Sequence, residues 1–210
     1  MIFTTDHGTF NGDHGRIGKL QAHEHDAKAH IPFIVAHPTH GHGERRSQLV
    51  QLVDIYPTVL AAVGRPQPQT PPDRPLHGVN LLPVIEDSTT HTRDFAVCGQ
   101  FGHSMSITDG AWILHQSPVA SNQPLYWHGY CLAKFLPYPL GPFADGRRPV
   151  VGYLPWPAPT WLSDKRSDPN ELVNLADRAP AKLRQMQAAL QETLIQLRAP
   201  PEQIERLRLG

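Results

Sequence analysis

Met1-Ile2-Phe3-Thr4-Thr5-Asp6-His7-Gly8 sets an apolar run directly before an acid, an imidazole and a glycine, and Gly12-Asp13-His14-Gly15 and Lys19 follow at fixed offsets. An apolar, β-branched run of this length reads as a strand buried in an α/β layer. Asp6 and His7 leave the end of that strand together. A carboxylate oxygen and an imidazole nitrogen side by side can hold a divalent metal. Lys19 can then bring a positive charge to an anion held on that metal. Pro32 to Ala36 is a second run of the same kind, and both runs read as buried parallel strands.

Outward from these strands, short apolar runs alternate with helical signals up to about residue 90, the texture of an α/β structure. Between Val53 and Gly64, Asp54 can cap a helix by accepting a backbone N–H, Pro57 suits the first turn, and Gly64 can stop the helix in a left-handed conformation. Tyr56, Leu60 and Val63 share one face of that helix. Arg65 to Pro75, rich in proline and polar residues, reads as a surface loop. From about residue 91 the pattern changes to short strands. Phe95 to Cys98 and Ser104 to Thr108 lead through the turn signal Asp109-Gly110 to Ala111 to His115, which predicts an antiparallel hairpin. Residues 117 to 161 hold many of the 22 prolines and read as a long irregular insertion. Pro180 then opens a helix whose Leu183, Met186, Leu190, Leu194 and Leu197 form one stripe suited to packing on the hairpin sheet. The expected organisation is therefore an α/β part over residues 1–90 that carries the Asp6-Lys19 cluster, and an α+β part over residues 91–210 with an antiparallel sheet and a terminal helix.

The spacing Asp-His-Gly-x-x-x-Gly-Asp-His-Gly-x-x-x-Lys resembles the metal-and-anion motif of the type I sulfatases, in the alkaline-phosphatase-like superfamily. Further landmarks follow in the family's order. His30-Ile31-Pro32-Phe33-Ile34-Val35 resembles its "arginine, valine, proline, apolar strand" segment, and Leu49 to Gly64 its "Asp, Pro-Thr, Gly" helix. His77-Gly78-Val79-Asn80-Leu81-Leu82-Pro83 resembles its Gly-x-Ser/Asn-Leu-x-Pro turn. Asp168-Pro169-Asn170-Glu171-Leu172-Val173-Asn174-Leu175-Ala176 is similar to the signature that precedes the family's terminal helix. The resemblance runs from about residue 2 to residue 198 but covers only the C-terminal part of a full sulfatase, so the implied fold is a partial alkaline-phosphatase-like sheet with helices followed by the antiparallel subdomain.

The resemblance implies a chemistry residue by residue. Asp6 and His7 take the metal positions. The family metal is usually calcium, with manganese or zinc in some relatives, and the imidazole of His7 moves the preference toward transition ions. Lys19 resembles the lysine that contacts a sulfate oxygen and offsets charge as the S–O bond breaks. His14 resembles the histidine of the family's Gly-Glu-His-Gly segment, a support behind the site or a wall of the pocket. Lys19 and His14 are thus the candidate catalytic and substrate-binding residues. The family nucleophile is a formylglycine made from a Cys/Ser-x-Pro/Ala-x-Arg motif. Cys98 and Cys131 are the only cysteines, neither has an arginine four residues on, and no serine stands in the alternative motif. The sequence reads as a truncated or split enzyme whose partners are a small-molecule sulfate ester and an N-terminal half of the same enzyme. A phosphonate or phosphate ester hydrolase of the same superfamily, and a non-catalytic fragment or docking subunit, are the other readings.

Other residues have plainer expectations. Eight of the 13 histidines precede residue 43, and His23, His25, His30, His37, His40 and His42 show no paired helical spacing, so they read mostly as loop residues. Glu24 and Asp26 read equally as a solvated turn. Cys98 and Cys131 read as buried small apolar residues, and His103 and His115 as core or surface side chains. Lysine plus arginine balances aspartate plus glutamate at 19 each, so no field favours nucleic acid or an anionic membrane. No run approaches the roughly 20 apolar residues that span a bilayer. No signal peptide is visible, which leaves a cytoplasmic and a periplasmic location both open.

Overall fold

The computed structural model describes residues 1–19, 23–39, 43–72, 75–99, 104–119, 126–128, 147–149 and 158–209. Its strands are β1 (Ile2–Thr4), β2 (Phe10–Asn11), β3 (Ile17–Gly18), β4 (Phe33–Val35), β5 (Ala96–Gly99), β6 (Met105–Thr108), β7 (Trp112–Gln116), β8 (Tyr126–His128), β9 (Arg147–Pro149) and β10 (Trp161–Asp164). Its α-helices are α1 (Asp26–Ala29), α2 (Ile55–Ala62), α3 (Leu82–Glu86), α4 (Pro180–Gln196) and α5 (Pro201–Arg206), with 3₁₀ turns at Asp13–Gly15 and Leu52–Asp54.

The apolar stripe of α4 builds the main core. Met186, Leu190 and Leu194 are buried and pack with Ile107, Leu114 and Leu162, while Leu183 is partly buried beside them. Those three partners come from an antiparallel sheet of order β10-β7-β6-β5. Register explains why they meet. Val97 faces Ile107, Ile107 faces Leu114, and Leu114 faces Leu162, so one row of apolar side chains crosses all four strands on the face toward α4. Because side chains alternate along a strand, the next row must point the other way. That row is Cys98, Ser106, His115 and Trp161. The sheet therefore has an oily face under the helix and a polar face turned toward the histidine-rich segment before α1.

The expected hairpin is present, joined by Asp109, Gly110 and Ala111. Gly110 takes a left-handed φ of 88°, and Asp109 Oδ1 accepts the N–H groups of Ala111 and Trp112 at 2.9 and 2.6 Å. Gly64 ends α2 at φ 67°, as its position predicts.

Two local expectations change. β1 and β4 pair antiparallel, with Phe3 opposite Ile34, rather than as parallel strands. A parallel return requires a long crossover, usually a helix, and among the described residues the chain between these strands makes the β2–β3 hairpin, a 3₁₀ turn and the four-residue α1. An apolar run carries no record of strand direction, so the sequence could not distinguish the two. Phe3 and Ile34 are also more than half exposed, so the pair is covered on one face only among the described residues. Asp54 is not a simple cap. Its fully buried carboxylate accepts the N–H groups of Gln51 (2.7 Å) and Val79 (2.9 Å) and a two-pronged contact from Arg93 (2.7 and 2.5 Å). It ties the start of α2 to the segment before α3 and to the segment before β5.

Candidate metal and anion site

Asp6, His7 and Lys19 come together at the end of β1. Gly8 permits the turn: its N–H bonds Lys28 O at 2.8 Å, and a Cβ there would sit 2.3 Å from Ala27 O. His7 Nδ1 lies 2.9 Å from the Gly8 carbonyl. A carbonyl only accepts, so Nδ1 carries the proton and Nε2 presents its lone pair. Nε2 lies 3.4 Å from Asp6 Oδ2 and 3.1 Å from Lys19 Nζ. Asp6 Oδ1 is meanwhile engaged by the His7 N–H (3.0 Å) and the Thr5 hydroxyl (3.3 Å), which fixes the carboxylate and leaves Oδ2 turned to the imidazole. Desolvation pushes the Asp6 carboxyl upward, but the attraction of the His7 ring when protonated and these hydrogen bonds prevail and hold it below its ordinary value.

These donors fit a cation. Two ligands of one metal, each about 2.0 to 2.4 Å from it, stand roughly 3 Å apart, close to the separation of Asp6 Oδ2 and His7 Nε2. Lys19 already directs a positive charge at that spot. His14 is placed differently. It sits at φ 53° in the Asp13–Gly15 turn, and its ring stacks on His25 at 3.9 Å and meets Phe10 edge-on.

His14 belongs to a second, buried cluster. Glu171 Oε2 lies 2.6 Å from His25 Nδ1 and 2.7 Å from His115 Nε2, and Oε1 accepts the Asp26 N–H at 2.9 Å. An ionised carboxylate only accepts, so both ring nitrogens donate to it. His115 Nδ1 then accepts from the Ser106 hydroxyl at 2.6 Å. His23 stacks on His115, donates from Nε2 to Pro159 O (2.8 Å) and accepts at Nδ1 from Ser104 (3.0 Å). Burial, then His115 and His25 as neighbours, pull the His23 imidazole down to about 3. Burial likewise lowers His115, against the pull of Glu171, and lowers His14, with His25 adding to the effect. For Glu171, burial pushes upward but the hydrogen bonds from His115 and His25 win and hold the carboxyl far below its usual range.

This cluster corrects several expectations. His23 and His25 do lie in the irregular segment before α1, but their side chains are buried rather than turned to solvent. Glu24 is buried against Lys28 at 2.8 Å, and Asp26 pairs with Lys165 at 2.7 Å, so this stretch is no solvated turn. His30 and His37 are surface residues near Asp26 and Thr39, while His40, His42, His103 and Cys131 lie outside the described residues. Burial, then Glu24, push the Cys98 thiol up to about 12, which suits an inert side chain. The sequence reading missed Glu171 as the hub. Its place in the Asp-Pro-x-Glu signature was visible, but nothing local said that residue 171 meets residues 25 and 115.

Over 190 residues the chain is 29% identical to arylsulfatase K of Xenopus laevis, covering 90% of this chain and 30% of that protein. Human arylsulfatase K is 30% identical over 181 residues, covering 86% and 28%. The chain thus spans less than a third of these relatives' length. Solved structures with the same fold include a protein in complex with its substrate D-glucosamine-2-N,6-O-disulfate (TM-score 0.66, 17% identity, 95% of this chain and 35% of that one) and the phosphonate monoester hydrolase of Agrobacterium radiobacter (0.56, 23%, 94% and 34%). A 2-O GAG sulfatase also matches (0.62, 16%, 94% and 36%). No protein-family model matches the chain. With the motifs, the fold and these relatives in agreement, the chain belongs to the type I sulfatase family, of alkaline-phosphatase-like fold, and corresponds to a C-terminal part of such a protein.

Proposed function

We propose that this chain supplies half of the site of a metal-dependent sulfatase that hydrolyses sulfate esters. Asp6 Oδ2 and His7 Nε2 hold a divalent cation, and Lys19 holds an ester oxygen. The observation that carries this reading is the His7 ring, pinned by Gly8 so that its Nε2 faces both Asp6 and Lys19. Once bound, the cation supplies positive charge against the developing negative charge of the ester oxygens. A mixed oxygen and nitrogen donor pair favours manganese or zinc over calcium. Formylglycine and the remaining ligands are assigned to the complementary N-terminal part of a sulfatase.

That part also fits an exposed surface. Met1, Phe3 and Ile34 on the β1–β4 pair, and Tyr56, Val59 and Val63 on α2, expose large apolar side chains. Clustered exposed apolar side chains suit an interaction site, and the short coverage of the relatives supports a complementary part of a sulfatase as its occupant. Among the described residues no helix is long and apolar enough to cross a membrane.

The test joins the chain to the complementary part of a sulfatase, in trans or as a fusion, and assays an aryl sulfate and an aryl phosphonate. Aryl sulfate turnover that falls roughly 10²- to 10³-fold in Lys19→Ala, the loss typical of one charge-stabilising donor, supports the reading. Faster turnover of the phosphonate favours the phosphonate hydrolase reading, in line with the shared fold. Undiminished turnover in both Asp6→Ala and Lys19→Ala overturns the site assignment. A Phe3→Glu, Ile34→Glu double variant that assembles normally removes the docking surface from the proposal.

A further inference from the structure

We infer that His25, His115 and Glu171 form a second metal site, separate from Asp6 and His7, which takes a zinc-like divalent ion and clamps three distant parts of the chain together. His25 Nδ1, His115 Nε2 and a Glu171 oxygen all lie within 4.8 Å of one another, and all three residues are buried. Two imidazoles and one carboxylate form the donor set of three-ligand zinc sites, which leave the fourth position open. The ligand atoms now touch through hydrogen bonds of 2.6 and 2.7 Å. A metal with bonds of about 2.0 to 2.1 Å needs ligand atoms roughly 3.3 Å apart, so each ring nitrogen must draw back from the Glu171 oxygen by about 0.6 to 0.7 Å.

The surroundings support each ligand. Ser106 Oγ stands 2.6 Å from His115 Nδ1, the outer hydrogen bond that metal-bound histidines ordinarily have. Its hydroxyl can rotate. Without metal it donates to Nδ1, and with metal its oxygen accepts a hydrogen bond from Nδ1–H, the ring proton having moved there from Nε2. His25 undergoes the same exchange, giving up the Nδ1 proton to the metal bond and carrying its proton on Nε2. Glu171 is oriented by the Asp26 N–H on its second oxygen. Glu171 and His14, which stacks on His25, both hold left-handed backbones, at φ 55° and 53°. Such strain in non-glycine residues persists where surrounding structure enforces it, and it collects at ligand sites.

The ligands also explain what a metal would do here. His25 precedes α1, His115 lies on β7, and Glu171 lies between β10 and α4, with 146 residues of sequence between His25 and Glu171. One ion would join the segment that follows Lys19 to the polar face of the sheet.

The experiment loads the purified chain with Co²⁺ or Zn²⁺, dialyses it, and measures metal content alongside circular dichroism and the visible spectrum of the cobalt form. About one equivalent per chain is expected, with the intense bands of low-coordinate cobalt. Asp6→Asn should retain both, and Glu171→Gln and His115→Gln should lose both. If those variants do not fold, the wild type decides by ¹⁵N imidazole shifts: zinc should move the His115 proton to Nδ1 and the His25 proton to Nε2. Folded wild type that retains no metal, metal lost in Asp6→Asn, or ring nitrogens unchanged by zinc would each overturn the site and leave a purely hydrogen-bonded cluster. None of these outcomes depends on sulfatase turnover, so the proposal can fail while the proposed function stands.

Discussion

The end of β1 and the polar face of the sheet use the same materials, carboxylates and imidazoles, in opposite ways. Asp6 is a largely exposed carboxylate whose partners lie within the opening segment, at Thr5 and His7. Glu171 is buried and bonded on both oxygens by partners far off in sequence. Water stabilises the first pair, so its side chains remain available to a ligand. The second has replaced water with protein donors, and every contact there also holds the fold. Burial, more than residue type, separates a group kept for chemistry from one committed to structure.

The sharpest way to break this contrast is Glu171→Leu. It leaves two buried ring N–H groups and the Asp26 N–H without an acceptor, and removing one partner from a buried charged network costs about 3 to 5 kcal/mol. Urea unfolding followed by circular dichroism should show that loss or no cooperative transition. A change under about 1 kcal/mol would mean that the cluster is not holding the structure.

Acid should act on the same cluster. The His23, His115 and His14 rings lie below their ordinary value of 6.5, so the unfolded chain binds protons that the native chain refuses. Their contribution is complete above pH 6.5 and declines as pH falls toward each native value, about 3 for His23. The slope per fully coupled group is about 1.4 kcal/mol per pH unit. Glu171 joins below its ordinary 4.5: its carboxyl is held down in the native state, so its stabilisation is lost as pH falls through the native value. Urea midpoints should fall steadily from pH 7 to pH 4. A flat profile would show that these rings titrate normally.

The same contrast explains what the sequence made legible. The Asp6, His7 and Lys19 grouping is local, within one strand end and the turns that follow, so spacing alone brought the residues together. The hairpin, the α4 stripe and the left-handed stops at Gly64 and Gly110 were also local, written in periodicity and turn chemistry. The direction of β1 against β4 and the hub at Glu171 depend on pairings across dozens of residues. His115 could be read as buried only once β7 was known to alternate Leu114 toward α4 and His115 away from it.

Ser106→Ala sharpens the comparison on a smaller scale. The sheet register stays, but His115 Nδ1 loses its donor, and a buried acceptor left unmade costs about 1 to 3 kcal/mol. Thermal unfolding should show a loss in that range, smaller than for Glu171→Leu. An unchanged midpoint would show that the hydroxyl contributes nothing to holding the ring.

Asp6→Asn should have the smallest effect on stability and a large one on function. The side chain is exposed, and surface substitutions of this kind stay within about 0.5 kcal/mol. Asparagine retains an oxygen for the His7 N–H, so the turn at Gly8 should persist. What it loses is the negative charge that faces His7 Nε2. In the complemented enzyme, aryl sulfate turnover should therefore fall while the unfolding midpoint holds. Equal losses of stability and turnover would place Asp6 with Glu171 among the structural carboxylates, and the distinction between the two clusters would disappear.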